Sequence, residues 1–176
     1  MKKIVMLSAF AFLASCTSVQ NTTPSEPFAW EGANLYFLVT DRFNNGDLKN
    51  DVNFNRTEKA AVLRGFEGGD LRGIIQKIDE GYFKKLGINA IWMTPIVEQI
   101  HGATDEGTGK TYGFHGYWAK DWTVLDPNFG TEKDLKELVE KAHKQGIRIV
   151  LDAVINHTGP VTYADPEYPN KWVRTS

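Results

Sequence analysis

The sequence predicts an α/β fold in which a parallel sheet is covered by helices, and three observations carry that prediction. Short, almost continuously apolar runs that suit buried strands alternate with amphipathic helical stretches. The joints from helix to strand are a few residues long, while those from strand to helix are very long. The two helix-to-strand joints, Leu86-Gly87-Ile88 and Gln145-Gly146-Ile147, also share one layout.

The chain opens with an export segment. Lys2 and Lys3 precede a mostly apolar run from Ile4 to Leu13, too short to span a bilayer and suited to the core of a signal peptide. The single cysteine, Cys16, follows Leu13-Ala14-Ser15, a stretch that resembles a lipobox. Cleavage before Cys16 and lipidation of its thiol are expected; ordinary signal cleavage nearby is the alternative. One cysteine allows no intramolecular disulfide. Residues 17–27, rich in Thr, Ser, Asn, Gln and Pro, suit a flexible tether. Residues 28–176 are left for the folded part.

Asn34 to Thr40, aromatic and β-branched, predicts the first strand. A polar segment runs on to Gly69. Leu71, Ile74, Ile75, Ile78, Tyr82 and Leu86 then recur at helical spacing, with Asp70 as N-cap and Gly87 at the C′ position. Ile88 to Met93 predicts the second strand. After another long connection, Thr131 and Asp134 form a variant capping box for a helix whose stripe is Leu135, Leu138, Val139 and Ala142. Gly146 ends that helix, and Ile147 to Ala153 predicts the third strand.

Long connections in compact domains are usually functional, and in parallel α/β folds those at the C-terminal strand ends carry the sites. Two architectures fit three such strands: a doubly wound nucleotide-binding sheet and the opening of a (β/α)8 barrel. The first wants a glycine-rich turn directly after strand one. The glycines of Gly65 to Asp70 lie well past that strand, do not match the pattern, and place a carboxylate where phosphate would bind. A net charge of −2 provides no basic field for nucleic acid. Aromatic residues gather between Tyr112 and Trp122, where sugar stacking and ordinary packing both fit.

Four stretches in register now resemble the start of the α-amylase family of glycoside hydrolases. They are Thr40 to Asp47, Gly68 to Gly73, Gly87 to Pro95, and Asp152 to His157, with His115 to Asp121 between the last two. Glu98 to Gly102 and the shape of the first loop look most like the family's bacterial periplasmic members. The resemblance spans Ala33 to Gly159. It implies the N-terminal portion of a (β/α)8 barrel, about three β/α units, from an enzyme that cleaves α-1,4 bonds of starch or maltodextrins with retention. Such chemistry needs two carboxyls about 5–5.5 Å apart. The family carries them on later strands, so no residue of this chain is expected to break the bond.

By the same resemblance Asp152 supports the active site, while His115, Tyr117 and His157 line the sugar subsite. Trp118 and Trp122 are expected to pack in loops. Asn45, Asp47, Asn50 and Asp51 crowd a turn around Gly46, with Asp70 and Gly68 beyond. Ca²⁺ takes about 6–8 oxygens from such donors. The set is not an EF-hand but resembles a calcium site of amylase relatives that uses the Gly68 carbonyl. Asn45 stands where Asp is frequent, and an Asn/Asp-rich turn without metal is the competing reading. Asn156 matches a ligand of a different calcium. The expected partner is an α-glucan, with membrane contact only through a lipid anchor on a periplasmic or cell-surface protein. A lipid-anchored glucan-binding protein without catalysis is the alternative function, and a nonfunctional truncated product a third.

Overall fold

The computed structural model describes residues 27–56 and 60–165. The expected signal segment, Cys16 and the tether up to residue 26 lie outside the described residues.

A short 3-10 turn, Trp30–Gly32, precedes the first strand. Strands β1 (Leu35–Leu38), β2 (Ala90–Met93) and β7 (Arg148–Leu151) form a parallel sheet in the order β1-β2-β7. Its register aligns Tyr36 with Ile91 and Ile149, and Leu38 with Met93 and Leu151. Helices α1 (Thr40–Phe43), α2 (Leu71–Asp79), α3 (Tyr82–Lys85) and α4 (Glu132–Lys144) complete the β/α alternation. The mixed α/β class and the parallel sheet agree with the expectation.

The core lies between the sheet and the helices. Leu71, Ile74, Ile75 and Ile78 of α2, Phe83 of α3, and Leu138 and Ala142 of α4 pack against Leu38, Ile91, Met93 and Ile147, all buried. Each large aliphatic side chain so removed from water contributes about 1.5–3 kcal/mol. Helix starts follow the sequence closely. Asp70 accepts from the Gly73 amide at 2.6 Å, capping α2. Thr131 and Asp134 cap each other's backbone in a capping box at α4.

Three expectations need correction. The stripe from Leu71 to Leu86 is not one helix: Gly81 takes a left-handed φ of 69° and breaks it into α2 and α3. Its lack of a Cβ makes that conformation inexpensive. The turn buries Phe83 rather than continuing the stripe and leaves Leu86 exposed. The segment from Tyr112 to Trp122 is also not all loop, because Ala119–Leu125 forms β6, antiparallel to β3 (Val97–Gln99). Finally, β7 ends at Leu151, so Asp152 is the first residue beyond the strand. Between β3 and β6 lies a small hairpin of β4 (Thr104–Asp105) and β5 (Lys110–Thr111).

Candidate functional site

Because β1, β2 and β7 run parallel, the connections leaving their C-terminal ends all emerge on one rim. There the Asp152 carboxylate accepts two bonds on Oδ2, from Trp92 Nε1 and from the Tyr117 hydroxyl, each 3.2 Å. Trp92 meets Phe37 of β1 edge to face at 5.0 Å. The Tyr117 ring stacks beside His115 with centroids 5.9 Å apart and planes 17° apart. His157 Nε2 sits 3.2 Å from the Tyr117 carbonyl. Residues separated by as many as 60 positions thus meet at one place, and His115, Asp152 and His157 form one group about Tyr117.

Local backbone makes the group possible. Gly116 has φ of 86°, and a Cβ there would lie 2.3 Å from the Pro95 carbonyl oxygen. Only glycine lets the His115–Tyr117 turn rest on the end of β2. The Tyr117 amide donates to His115 Nδ1 at 3.0 Å, which places the imidazole proton on Nε2. Burial lowers the His115 pKa, so the ring is a neutral donor. Burial, then the charge and hydrogen bond of Asp152, raises that of Tyr117, which stays a phenol. His157 uses both ring nitrogens inside the protein, with Nδ1 lying 3.4 Å from the Asn156 amide.

The first connection is organised around Asp70. Beyond capping α2, its carboxylate accepts from the Gly46 amide at 3.0 Å, the Asp47 amide at 2.9 Å and Asn50 Nδ2 at 2.9 Å. These four bonds occupy the lone-pair sites a carboxylate offers. Asn45 Nδ2 donates to Asp51 Oδ1 at 2.9 Å. With each amide nitrogen facing a carboxylate, the oxygens point the other way: Asn45 Oδ1 and Asn50 Oδ1 are buried and have no hydrogen-bond partner. Gly68, at φ of 91°, closes the group; a Cβ there would lie 2.3 Å from Asn45 Nδ2 and 2.7 Å from Asp51 Oδ1. Asp47 Oδ1 accepts from the Lys49 amide within its own turn.

Bare buried amide oxygens are costly unless something positive satisfies them. A hard cation fits this donor set. Among the described residues no three carboxylate, imidazole or thiolate groups are placed to share a metal, so a cation here needs amide and carbonyl oxygens beside any carboxylate. Asn156 stands apart from this loop, exposed on the exit from β7 beside His157.

Several polar residues went unread in the sequence. Arg56 makes two bonds to Asp126, at 2.9 and 2.6 Å, and one to Asn128, all buried. Asp41 receives the Glu67 and Gly68 amides; burial pushes its carboxyl up to about 6 against those bonds and the Arg42 charge. Asp165 is buried too, yet bonds from Lys120, Thr162 and the His101 and Gly102 amides outweigh burial and hold it at about 2. These groups meet across tens of residues, and no local spacing announces them.

Parallel β/α units that gather a tyrosine, histidines and a carboxylate at the C-terminal strand ends define an α/β class of protein whose sites sit on that rim. Residues 37–169 match the family described as alpha amylase, catalytic domain, and the chain belongs to that family of glycoside hydrolases. It is 49% identical over 148 residues to the periplasmic alpha-amylase of Escherichia coli K12, covering 82% of this chain and 22% of that protein. With the cyclomaltodextrin glucanotransferase of Thermoanaerobacterium thermosulfurigenes it shares 34% identity over 170 residues, 94% of this chain and 24% of that one. The crystal structure of the Geobacillus thermoleovorans alpha-amylase complexed with acarbose is similar at 39% identity and a TM-score of 0.56, over 75% of this chain and 25% of that chain. The chain therefore spans about a quarter or less of the length of these relatives.

Proposed function

We propose that this chain forms the first sugar-facing portion of a (β/α)8 enzyme that hydrolyses α-1,4-glucosidic bonds of starch or maltodextrins with retention. Its nucleophile and acid/base are then supplied by later strands, and the chain alone is inactive. The observation that carries this reading is the convergence of Asp152, His115 and His157 on Tyr117.

Each residue then has a task. The Tyr117 ring gives a pyranose an apolar platform, fixed in place by its hydroxyl bond to Asp152. His115 offers Nε2–H to a sugar hydroxyl while remaining uncharged. With the Trp92 and Tyr117 bonds both on Oδ2, Asp152 has Oδ1 to accept a hydroxyl. His157 exchanges its bond to the Tyr117 carbonyl for one to the sugar. These contacts orient the glucan and exclude water from one side of the bond.

In the first loop, Asn45 Oδ1, Asn50 Oδ1, Asp51 and the Gly68 carbonyl would hold Ca²⁺, with Asp47 and Asp70 adding negative charge beside them. The ion would supply charge that satisfies the bare amide oxygens and stiffens the loop. Asn156 would be one ligand of a second calcium, whose other ligands would come partly from outside this chain. The periplasmic relative and the N-terminal residues together support an exported, lipid-anchored protein.

Maltoheptaose titrated into the full chain tests the sugar site. His115 and Tyr117 resonances are expected to shift, Tyr117→Ala is expected to abolish the shift, and no reducing ends should be released. A folded chain whose Tyr117 and His115 signals ignore the oligosaccharide would sink the reading. Later Asp and Glu residues at strand ends, read from the DNA after the Ser176 codon, favour the enzyme; a stop there favours a fragment or the binding protein.

A further inference from the structure

Between the two clusters lies a buried polar group that neither uses directly. Asp126 is fully buried and accepts four hydrogen bonds: two from Arg56, one from the Gln99 amide at 2.9 Å, and one from the Asn128 amide at 3.0 Å. Arg56 is clamped further by the Phe66 ring, 4.3 Å from its guanidinium carbon. Two arms leave this centre.

One arm is Gln99, itself fully buried. Its Nε2 donates to the Val97 carbonyl at 2.8 Å, which orients the amide so that Oε1 accepts from the Trp118 amide at 2.7 Å. Trp118 directly follows Tyr117. On the other side of the turn, Gly113 packs so closely that a Cβ there would lie 3.0 Å from the Gln99 Cβ. Gln99 therefore grips the turn that carries His115 and Tyr117 from both ends. The second arm is Asn128. Its Oδ1 accepts from Arg56, and its Nδ2 donates to the Asp51 carbonyl at 2.8 Å. Asp51 is the residue whose carboxylate holds Asn45.

We propose that Asp126 and Arg56 form a two-armed positioning centre, in which Gln99 sets the His115–Tyr117 turn and Asn128 sets the cation-facing loop at Asp51. This rests on the sugar and calcium reading only for what the two ends do; the connection itself is independent of either ligand. None of these four residues touches substrate. They act by fixing others, as outer groups fix the ligands of a metal site. At the centre Arg56 Nε is buried without a partner, but along both arms the Gln99 and Asn128 amides have nitrogen and oxygen matched, and such matching holds one arrangement because alternatives leave a polar group bare.

The test uses three variants of the full chain and two readings. Gln99→Met keeps the volume of the side chain and removes the Trp118 acceptor. Asn128→Leu removes the Asp51 donor. Asp126→Asn weakens the centre. The readings are the NMR titration midpoint of the His115 ring and the calcium affinity of metal-stripped protein measured with the metal alone. Glu106, Arg64 and Arg42 are the charges that act on His115, so they stay unchanged throughout.

Gln99→Met is expected to raise the His115 midpoint as the turn loosens and takes up water, leaving calcium affinity within about twofold. Asn128→Leu should do the reverse, weakening calcium about tenfold or more with His115 unmoved. Asp126→Asn should move both. A purely structural role would lower the thermal midpoint of all three and produce no such crossing pattern. Folded Gln99→Met with an unchanged His115 midpoint, or folded Asn128→Leu with unchanged calcium affinity, overturns the proposal, and these two tests stand even if Asp126→Asn does not fold. Should the unaltered chain take up no calcium, the calcium reading fails alone. Exchange rates of the Gly46 and Asp47 amides, both held by Asp70, then report the loop end instead.

Discussion

On the helix side of the sheet, Ile74, Ile75 and Ile78 of α2 meet Leu138 and Ala142 of α4 in a layer of hydrocarbon. On the rim, Asp70, Asp126 and Asp152 each gather between two and four N–H or O–H donors. The first region owes its stability to area withdrawn from water and tolerates exchanges of similar volume. The second owes its shape to matched polar pairs, where one deletion leaves several groups bare. Packing makes the platform, and hydrogen bonding makes the instrument on it.

Mutations can break that contrast or sharpen it. The largest effect is expected on the helix side. Phe83 is fully buried and stacks on Phe43 at 5.6 Å, so Phe83→Ala should cost about 3–5 kcal/mol in denaturant unfolding. Asp70→Ala removes a helix cap and three loop bonds at once and should cost about 2–4 kcal/mol. A loss under that range would mean that water replaces the carboxylate easily, and the rim would be softer than described. Thr131→Ala loses one capping box, about 1 kcal/mol.

A smaller effect depends on pH. Asp165 is held at about 2, below its unfolded value, so its contribution is complete above the ordinary carboxylate range and fades as pH falls from about 4 towards 2. Lys120 donates to it at 2.7 Å, and Lys120→Met should shrink the acid-induced drop in thermal midpoint relative to the unaltered chain. Equal drops in both would remove Lys120 from the cause. Smallest of all, Tyr117→Phe should change stability by less than about 0.5 kcal/mol while weakening glucan binding roughly tenfold.

The two regions were also unequally legible. The Asp70 and Thr131 caps and the glycines at 87 and 146 come from residues within a turn of one another, and the structure keeps them all. The break at Gly81 was hidden because Tyr82 continues the helical spacing while the backbone does not. On the rim, the resemblance pointed to His115, Tyr117, Asp152 and His157, and the structure brings the other three to Tyr117. Arg56 and Asp126 stand 70 residues apart. A buried arginine and a buried aspartate read in sequence like any surface pair, because burial is a property of the assembled fold.

Asp70 has one more implication. The same carboxylate ends the free amides of α2 and closes a loop whose ends are 24 residues apart, at Gly46. Where a Cβ on Gly73 would fall, the Asn44 carbonyl oxygen lies 1.7 Å away, so helix and loop touch backbone to backbone. The first turn of the helix cannot fray without releasing the loop, and the loop cannot swing out without uncapping the helix. Their amides should open to deuterium together, as one cooperative unit with a shared rate.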